Sequence, residues 1–375
     1  MKEKNLQERY QRQVILKGFG EAAQNSLAQA KVLVIGAGGL GCPVLQYLTA
    51  AGIGCIGIVD DDVVSLSNLH RQVLYDMNDI DKPKVSIAAA KLRLMNPDTE
   101  LVEYKIHLDK NNCLDIIRAY DIIIDCTDNF ASRYMINDAC VLKGKLLVHA
   151  AVSRFEGQVA VFNMGPEGKQ KSGNYRDLFP EQPGQEEVMN CAEAGVLGVL
   201  PGIIGSIQAC EAIKLITGIG EPLINKLLTY NAIDNRTFIY SYPGNRQAAA
   251  KMPATEKDFR EMIYEEVCAN DHRFVIDVEK FDTMLVQKNA RFIDVREPHE
   301  LPMVTEFENI RIPLREIKEK INELAEDNII FFCQSGVRSL QAATIAAEHF
   351  GDNSRFFSLQ GGIVSWKKWH EKQLI

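Results

Sequence analysis

The sequence predicts an α/β protein of two domains: a larger one around a mainly parallel sheet, then a smaller α/β domain. Three observations predict it. The chain has 375 residues, more than one hydrophobic core usually serves. Short apolar runs rich in β-branched residues alternate with helical patterns, as strands covered on both faces do. The alternation breaks once, at residues 242–256 (YPGNRQAAAKMPATE), where Pro, Gly, Ala and polar residues read as a connector. The expected domains are residues 1–245 and 272–375, with a linker at 246–271.

The elements follow in order. A polar helical lead (Leu6–Gly18) precedes Lys31–Ile35 (KVLVI), an apolar strand. That strand runs into Gly36-Ala-Gly38-Gly39-Leu-Gly41, and Pro43–Ala51 has helical character. Cys55–Val59 (CIGIV) is the next strand and ends in Asp60-Asp61-Asp62. This strand, glycine turn, helix and strand form a βαβ unit of Rossmann-like type. Further strands are expected at Ile122–Ile124, Leu146–Val148 and Val159–Phe162, and helices at Lys84–Met95, Arg133–Leu142 and Gly202–Ile216. Beyond the connector, Arg291–Val295 and Ile329–Phe332 read as strands and Ser339–His349 as a helix.

Composition narrows the class. The chain is 46% hydrophobic and 25% charged, with net charge -8, so a general nucleic-acid binder with a basic surface is not expected. No apolar run reaches the length of a membrane span, and the polar N-terminus lacks a signal peptide's apolar segment. A cytoplasmic protein is expected. The nine cysteines are scattered with no Cys-x-x-Cys pair, which reads as reduced thiols without a zinc ribbon.

Gly36, Gly38 and Gly41 have the spacing of a nucleotide-binding turn. Glycines allow close backbone approach, and the following helix offers free N–H groups to phosphate. Asp60 ends the next strand, where an acidic residue takes ribose hydroxyls. That motif alone does not choose between ATP and NAD. Ser67-Asn68-Leu-His-Arg71-Gln72, Lys84 and Asp125-Cys-Thr-Asp128-Asn129 do choose. Functional groups gather beyond the carboxyl ends of parallel strands, so Asp60, Arg71, Lys84 and Asp128 are expected in one cleft. Cations there suit a triphosphate and an aspartate suits magnesium. Hydride transfer needs neither.

With Arg9-Tyr-Gln-Arg12-Gln, Gly36 to Cys42, Ser67 to Gln72, Lys84 and Cys126-Thr-Asp-Asn129, the chain resembles the MoeB/ThiF/HesA family of ubiquitin-activating-like adenylyltransferases from about residue 5 to about 243. The resemblance implies that ATP and Mg²⁺ bind and that the terminal glycine of a ubiquitin-like sulfur carrier ending in Gly-Gly is adenylated. It implies Asp128 for magnesium, Asp60 for the ribose, and Asn68, Arg71 and Lys84 for phosphates, with Gly36, Gly38, Gly39, Gly41 and Asn129 lining the nucleotide site. It also implies that Arg12 reaches the active site of a second subunit, making a homodimer.

Two thiols stand out. Cys191 precedes a Gly-rich segment and a helix, at the family's reactive cysteine, and either attack on the adenylate or persulfide exchange is open to it. Cys333 opens Cys333-Gln334-Ser335-Gly336-Val337-Arg338 at a strand-to-helix turn. Backbone N–H groups and a helix N-terminus there favour a thiolate, and Arg338 is expected to add positive charge. With Phe292-Ile-Asp294-Val-Arg296-Glu and Leu359-Gln-Gly-Gly-Ile363, residues 272–375 resemble a rhodanese-like domain, which implies a persulfide on Cys333 and a persulfide sulfur donor. Many relatives of the first domain hold zinc with two Cys-x-x-Cys pairs near residues 174–177 and 245–248. Neither stretch here has a cysteine, so no zinc is expected and other contacts must hold those loops. Leu301–Asn309 lacks the usual rhodanese glycine-histidine stretch.

The expected activity is ATP-dependent adenylation of a sulfur carrier of the molybdopterin-synthase small-subunit type, with sulfur delivery to form a thiocarboxylate. Carriers of thiamine synthesis or tRNA thiolation are alternatives. An NAD-dependent oxidoreductase and a non-catalytic scaffold are the rivals from other classes.

Overall fold

The computed structural model describes residues 2–164, 172–182, 195–242, 251–264, 274–298, 300, 303–324, 328–334, 336–351 and 355–373. The chain divides into two compact units, Met1–Glu265 and Glu266–Ile375. In the first unit, α1 (Lys2–Val14), α2 (Gly20–Gln29), β1 (Lys31–Ile35), α3 (Gly41–Ala51), β2 (Cys55–Val59), α4 (Lys84–Met95), β3 (Glu100–Tyr104), α5 (Cys113–Arg118), β4 (Ile122–Asp125), α6 (Phe130–Lys143) and β5 (Leu146–Ser153) come first. Then follow β6 (Glu156–Phe162), α7 (Tyr175–Leu178), α8 (Leu200–Thr217), β7 (Lys226–Asn231), β8 (Arg236–Ser241) and α9 (Glu256–Glu261).

The eight strands lie in the order β3-β2-β1-β4-β5-β6-β7-β8. The first five are parallel and the last three antiparallel. Strand residues alternate between faces, and both faces are buried. Val32 and Val34 of β1 join Leu45, Leu48 and Ala212 in one core, while Leu33 and Ile35 join Ile117, Tyr134 and Ile136 in the other. That double burial is why the parallel strands read as continuous apolar runs. β7 is half-buried and β8 exposed along its length, so neither shows such a run. Between β1 and β4 the strand order reverses, which opens a crevice beyond their carboxyl ends.

The helical lead starts and stops earlier than its expected Leu6–Gly18, ending at Val14. Part of the expected linker belongs to the first unit. Thr255 caps α9, and Phe259 of that helix is fully buried in the core that also holds Ala139 of α6. Among the described residues, no helix is long and apolar enough to cross a membrane.

The second unit contains β9 (Val275–Ile276), α10 (Val278–Gln287), β10 (Arg291–Asp294), β11 (Ile310–Arg311), α11 (Ile317–Lys320), β12 (Ile329–Phe332), α12 (Val337–Phe350), β13 (Phe356–Leu359) and α13 (Gly362–Gln373). Its parallel strands run in the order β11-β10-β12-β13-β9. Ile329 and Phe331 of β12 face a core with Ala343 and Ala346. Ile330 and Phe332 face Phe281 and Trp366 on the other side. Cys333 continues the first of these faces.

Candidate active site

The glycine turn after β1 divides into positions that must pack and one that stays open. Gly36 has φ +98, and a Cβ there would lie 2.8 Å from the Cys126 carbonyl oxygen. A Cβ on Gly41 would overlap the Gly36 carbonyl oxygen, and one on Gly39 would press on Pro201 at 3.1 Å. A Cβ on Gly38 would meet only Gln72 Nε2, at 3.5 Å. The peptide between Gly36 and Gly38 is held from both sides. Ala37 N–H donates to Asp60 Oδ2 at 2.7 Å, and Tyr75 O–H donates to the Ala37 carbonyl at 2.8 Å. The backbone at Gly38 therefore faces an open cleft from a fixed position, as phosphate binding by a turn requires.

The charged residues converge on the same cleft. Gly36, Asp60, Arg71, Lys84, Asp128 and Asn129 all line it, from separate parts of the sequence. Asp60 also accepts the Asp62 N–H at 2.9 Å, and burial raises its pKa despite Lys84 and the two backbone donors. Lys84 is only 4% exposed, and its Nζ reaches Asp62 Oδ2 at 2.8 Å. Asp62 is exposed, so a buried cation is paired with a carboxylate that solvent can reach. Arg71 Nη1 donates to the Ser67 carbonyl at 2.9 Å. Asn129 caps α6 by accepting the Ser132 N–H at 2.8 Å, leaving Asp128 exposed beside it.

Two expected residues lie elsewhere. Asn68 Oδ1 accepts the Ser65 N–H at 3.2 Å in a short turn, and Asn68 does not line the cleft. Arg12 is exposed on α1, away from its own chain's cleft. The sequence reading missed Asp62, Gln72 and Arg133, all of which line the cleft. Asp62 stood in the noted acidic run and Gln72 beside Arg71, while Arg133 had only its place one turn after Asn129 as a signal.

At residues 174–177, which hold no cysteine, side-chain and backbone contacts hold the chain. Arg176 Nε and Nη2 donate to Asp138 Oδ1 and Oδ2 at 2.8 and 2.7 Å, with both residues buried. Tyr175 N–H donates to Asn137 Oδ1 at 2.8 Å, and Asn174 caps α7. The second stretch, 245–248, lies outside the described residues, as does Cys191.

In the second unit, Cys333 is fully buried and its Sγ accepts the Gly336 N–H at 3.1 Å, with Ser339 Oγ 3.6 Å away. The Leu359-Gln-Gly-Gly-Ile363 segment closes over this loop: Ile363 N–H donates to the Cys333 carbonyl at 2.8 Å. A Cβ on Gly362 would lie 2.5 Å from that carbonyl oxygen. Gln334 is exposed, while Ser335 and the Val337 side chain lie outside the described residues. The expectation that Arg338 adds positive charge at the thiol needs correction. Its Nη1 and Nη2 donate to Glu300 Oε1 and Oε2 at 2.5 and 2.9 Å, which neutralises the charge. Glu300 was not singled out because it lies 38 residues before Arg338, outside any local motif.

The pattern of the ThiF family matches residues 10–251, and that of the rhodanese-like domain matches residues 277–368. "Adenylyltransferase and sulfurtransferase MOCS3" of Xenopus laevis is 38% identical over 392 aligned positions, covering 96% of this chain and 85% of that protein. "Probable molybdopterin-synthase adenylyltransferase" of Gracilaria tenuistipitata var. liui is 37% identical over 350 positions, covering 91% of this chain and 93% of that one. A crystal structure of E. coli MccB shares the fold, with TM-score 0.57 at 22% identity, over 64% of this chain and 72% of that chain. This chain belongs to the ThiF family and carries a rhodanese-like domain after its ThiF domain.

Proposed function

We propose that this chain uses ATP to adenylate the C-terminal glycine of a small ubiquitin-like sulfur carrier, and that its rhodanese-like domain delivers persulfide sulfur to give a thiocarboxylate. The observation that carries this reading is the cleft. It unites a backbone turn open at Gly38 with Arg71, a buried Lys84 and the carboxylates of Asp60 and Asp128. Both activities stand in the name of the full-length relative. The carrier we infer is of the molybdopterin-synthase small-subunit type, in line with the name of the second relative. Carriers of thiamine synthesis and tRNA thiolation share the chemistry.

In this reading the Gly38 and Gly39 backbone cradles phosphate, Asp60 takes the ribose, and Arg71 and Lys84 hold the triphosphate charge. Asn129 fixes the start of α6 beside the nucleotide. Asp128 offers a hard carboxylate oxygen at the cleft, which fits Mg²⁺. When bound, that ion neutralises charge on the phosphates. A carboxylate oxygen of the carrier attacks the α-phosphorus, the bond to the β-phosphate oxygen breaks, and pyrophosphate leaves. The terminal sulfur of a Cys333 persulfide then attacks the acyl carbon and AMP leaves. A second thiolate then attacks the Cys333 sulfur, the sulfur–sulfur bond breaks and the thiocarboxylate leaves. Cys191 is our candidate for the attacking thiol, and an external thiol reductant reduces the disulfide left between the two thiols. Arg12 has no place in its own chain's cleft, which suits a homodimer in which it serves the partner's site.

The test is ATP–pyrophosphate exchange that depends on a carrier ending in Gly-Gly. Absence of exchange together with tight NAD(P)H binding would favour a dehydrogenase and overturn the reading. For the dimer, mixing Arg12→Ala and Asp128→Ala subunits should restore about a quarter of the exchange, because half the dimers are mixed and each holds one intact site. No recovery on mixing would contradict it.

A further inference from the structure

A buried polar network lies directly behind the loop that bears Asp128. β4 and β5 are parallel neighbours, and Asp125, the last residue of β4, is the register partner of His149 in the middle of β5. Both are 1% exposed. His149 Nδ1–H donates to Asp125 Oδ2 at 2.9 Å. Asp125 Oδ1 accepts two bonds from Thr127, from N–H at 3.0 Å and from Oγ1–H at 2.6 Å. Arg133, buried in the first turn of α6, closes the loop from the other side by donating from Nη2 to the Thr127 carbonyl at 3.2 Å. Gln208 Nε2 donates to the Asp125 carbonyl at 2.8 Å. Every polar group of Thr127 is thereby engaged, and Asp128 is the next residue.

His149 is not explained by packing alone. Its ring lies against Tyr175, with centroids 4.8 Å apart, and against Phe162. Its Nε2 is buried with no hydrogen-bond partner among the described residues. A buried polar atom without a partner costs stability, and an apolar side chain would avoid that cost. What His149 contributes in return is one fixed donor to Asp125, which makes Asp125 a rigid acceptor for Thr127.

We propose that His149 is a positioning residue for the adenylation site. Through Asp125 it locks Thr127 and so aims the Asp128 carboxylate into the cleft. Asp125 and Arg133 are the two halves of the clamp. This rests on the adenylation reading given above. It extends that reading to a residue that touches neither nucleotide nor carrier.

The experiment compares His149→Leu, which keeps bulk but removes the donor, with His149→Asn, whose amide can place an N–H near Nδ1. Thr127→Val removes one bond to Asp125 without touching the buried core and serves if His149→Leu does not fold. Two quantities are read on the full chain. One is the Mg²⁺ concentration giving half-maximal ATP–pyrophosphate exchange. The other is binding of a fluorescent non-hydrolysable ATP analogue with and without Mg²⁺. His149→Leu and Thr127→Val should raise the half-saturating Mg²⁺ about ten- to a hundredfold, with His149→Asn within about threefold of the parent, as for other residues that orient a metal ligand. Analogue binding without Mg²⁺ should stay unchanged, because the glycine turn is untouched. A parent-like Mg²⁺ dependence in both His149→Leu and Thr127→Val would overturn the proposal, as would His149→Asn losing as much as His149→Leu. If the parent protein itself shows neither exchange nor analogue binding, the adenylation reading fails first. Flat variants beside an active parent remove this inference alone.

Discussion

Removing Asp138 tests how the first unit holds the chain at residues 174–177 without cysteines. Arg176 lies over the Tyr134 ring, 4.7 Å from its centroid, and makes two bonds to Asp138 at 2.7 and 2.8 Å. The side chains are 8% and 0% exposed. Asp138→Ala leaves a guanidinium with little access to water and no carboxylate. Breaking one half of a buried ion pair costs about 3–5 kcal/mol. With a urea slope of about 3 kcal/mol per M for a unit of this size, the midpoint should fall by about 1–1.7 M. The chain's two tryptophans, Trp366 and Trp369, both lie in the second unit. Far-ultraviolet circular dichroism should therefore show the shift while tryptophan fluorescence keeps its midpoint. Arg176→Met with Asp138→Leu should recover most of the loss, since the lone buried charge is gone. A midpoint in Asp138→Ala within about 0.3 M of the parent would refute the reasoning. So would an equal shift in both signals.

Other outcomes follow from the same geometry. Gly41→Ala should prevent a stable first unit, measured as loss of soluble folded protein, because its Cβ overlaps the Gly36 carbonyl; Gly38→Ala should fold with a parent-like Tm yet weaken nucleotide binding, measured with the fluorescent analogue. Asp128→Ala should abolish pyrophosphate exchange, whereas Cys333→Ala should retain it and lose sulfur transfer from thiosulfate; equal loss of both activities in Cys333→Ala would contradict the division of labour. Burial pushes the Glu300 carboxyl up, but the bonds and charge of Arg338 outweigh it and hold it below its ordinary 4.5. The folded-state pKa is depressed, so this pair stabilises the second unit above pH 4.5 and the contribution fades as pH falls through the folded value. Glu300→Gln should flatten the acid limb seen by tryptophan fluorescence, and an unchanged limb would count against the pairing.

Much of the fold was legible because burial on two faces writes itself into composition. β1, β2 and β12 match the expected runs, and α4 begins and ends as its apolar spacing implies. β3, β7 and β8 were not read, since partly exposed strands mix polar and apolar residues without a run. α9 lay in a stretch that looks like a connector because only Phe259 is fully buried there. The motif residues of the cleft were legible one by one. Their partners were not, because Lys84 with Asp62 and Arg338 with Glu300 join residues far apart in the chain.

The sequence by itself determined the two α/β units, the glycine turn, the acidic and basic motifs and the thiol at the end of β12. These are local patterns, set by period, propensity and turn chemistry. Only the tertiary structure decided which charges are buried, which are paired, and what stands behind Asp128. Register alone sets Asp125 beside His149, and a fully buried histidine in β5 has no sequence signature of its own. Desolvation and pairing depend on neighbours in space, and neighbours across strands are fixed by packing rather than by order along the chain.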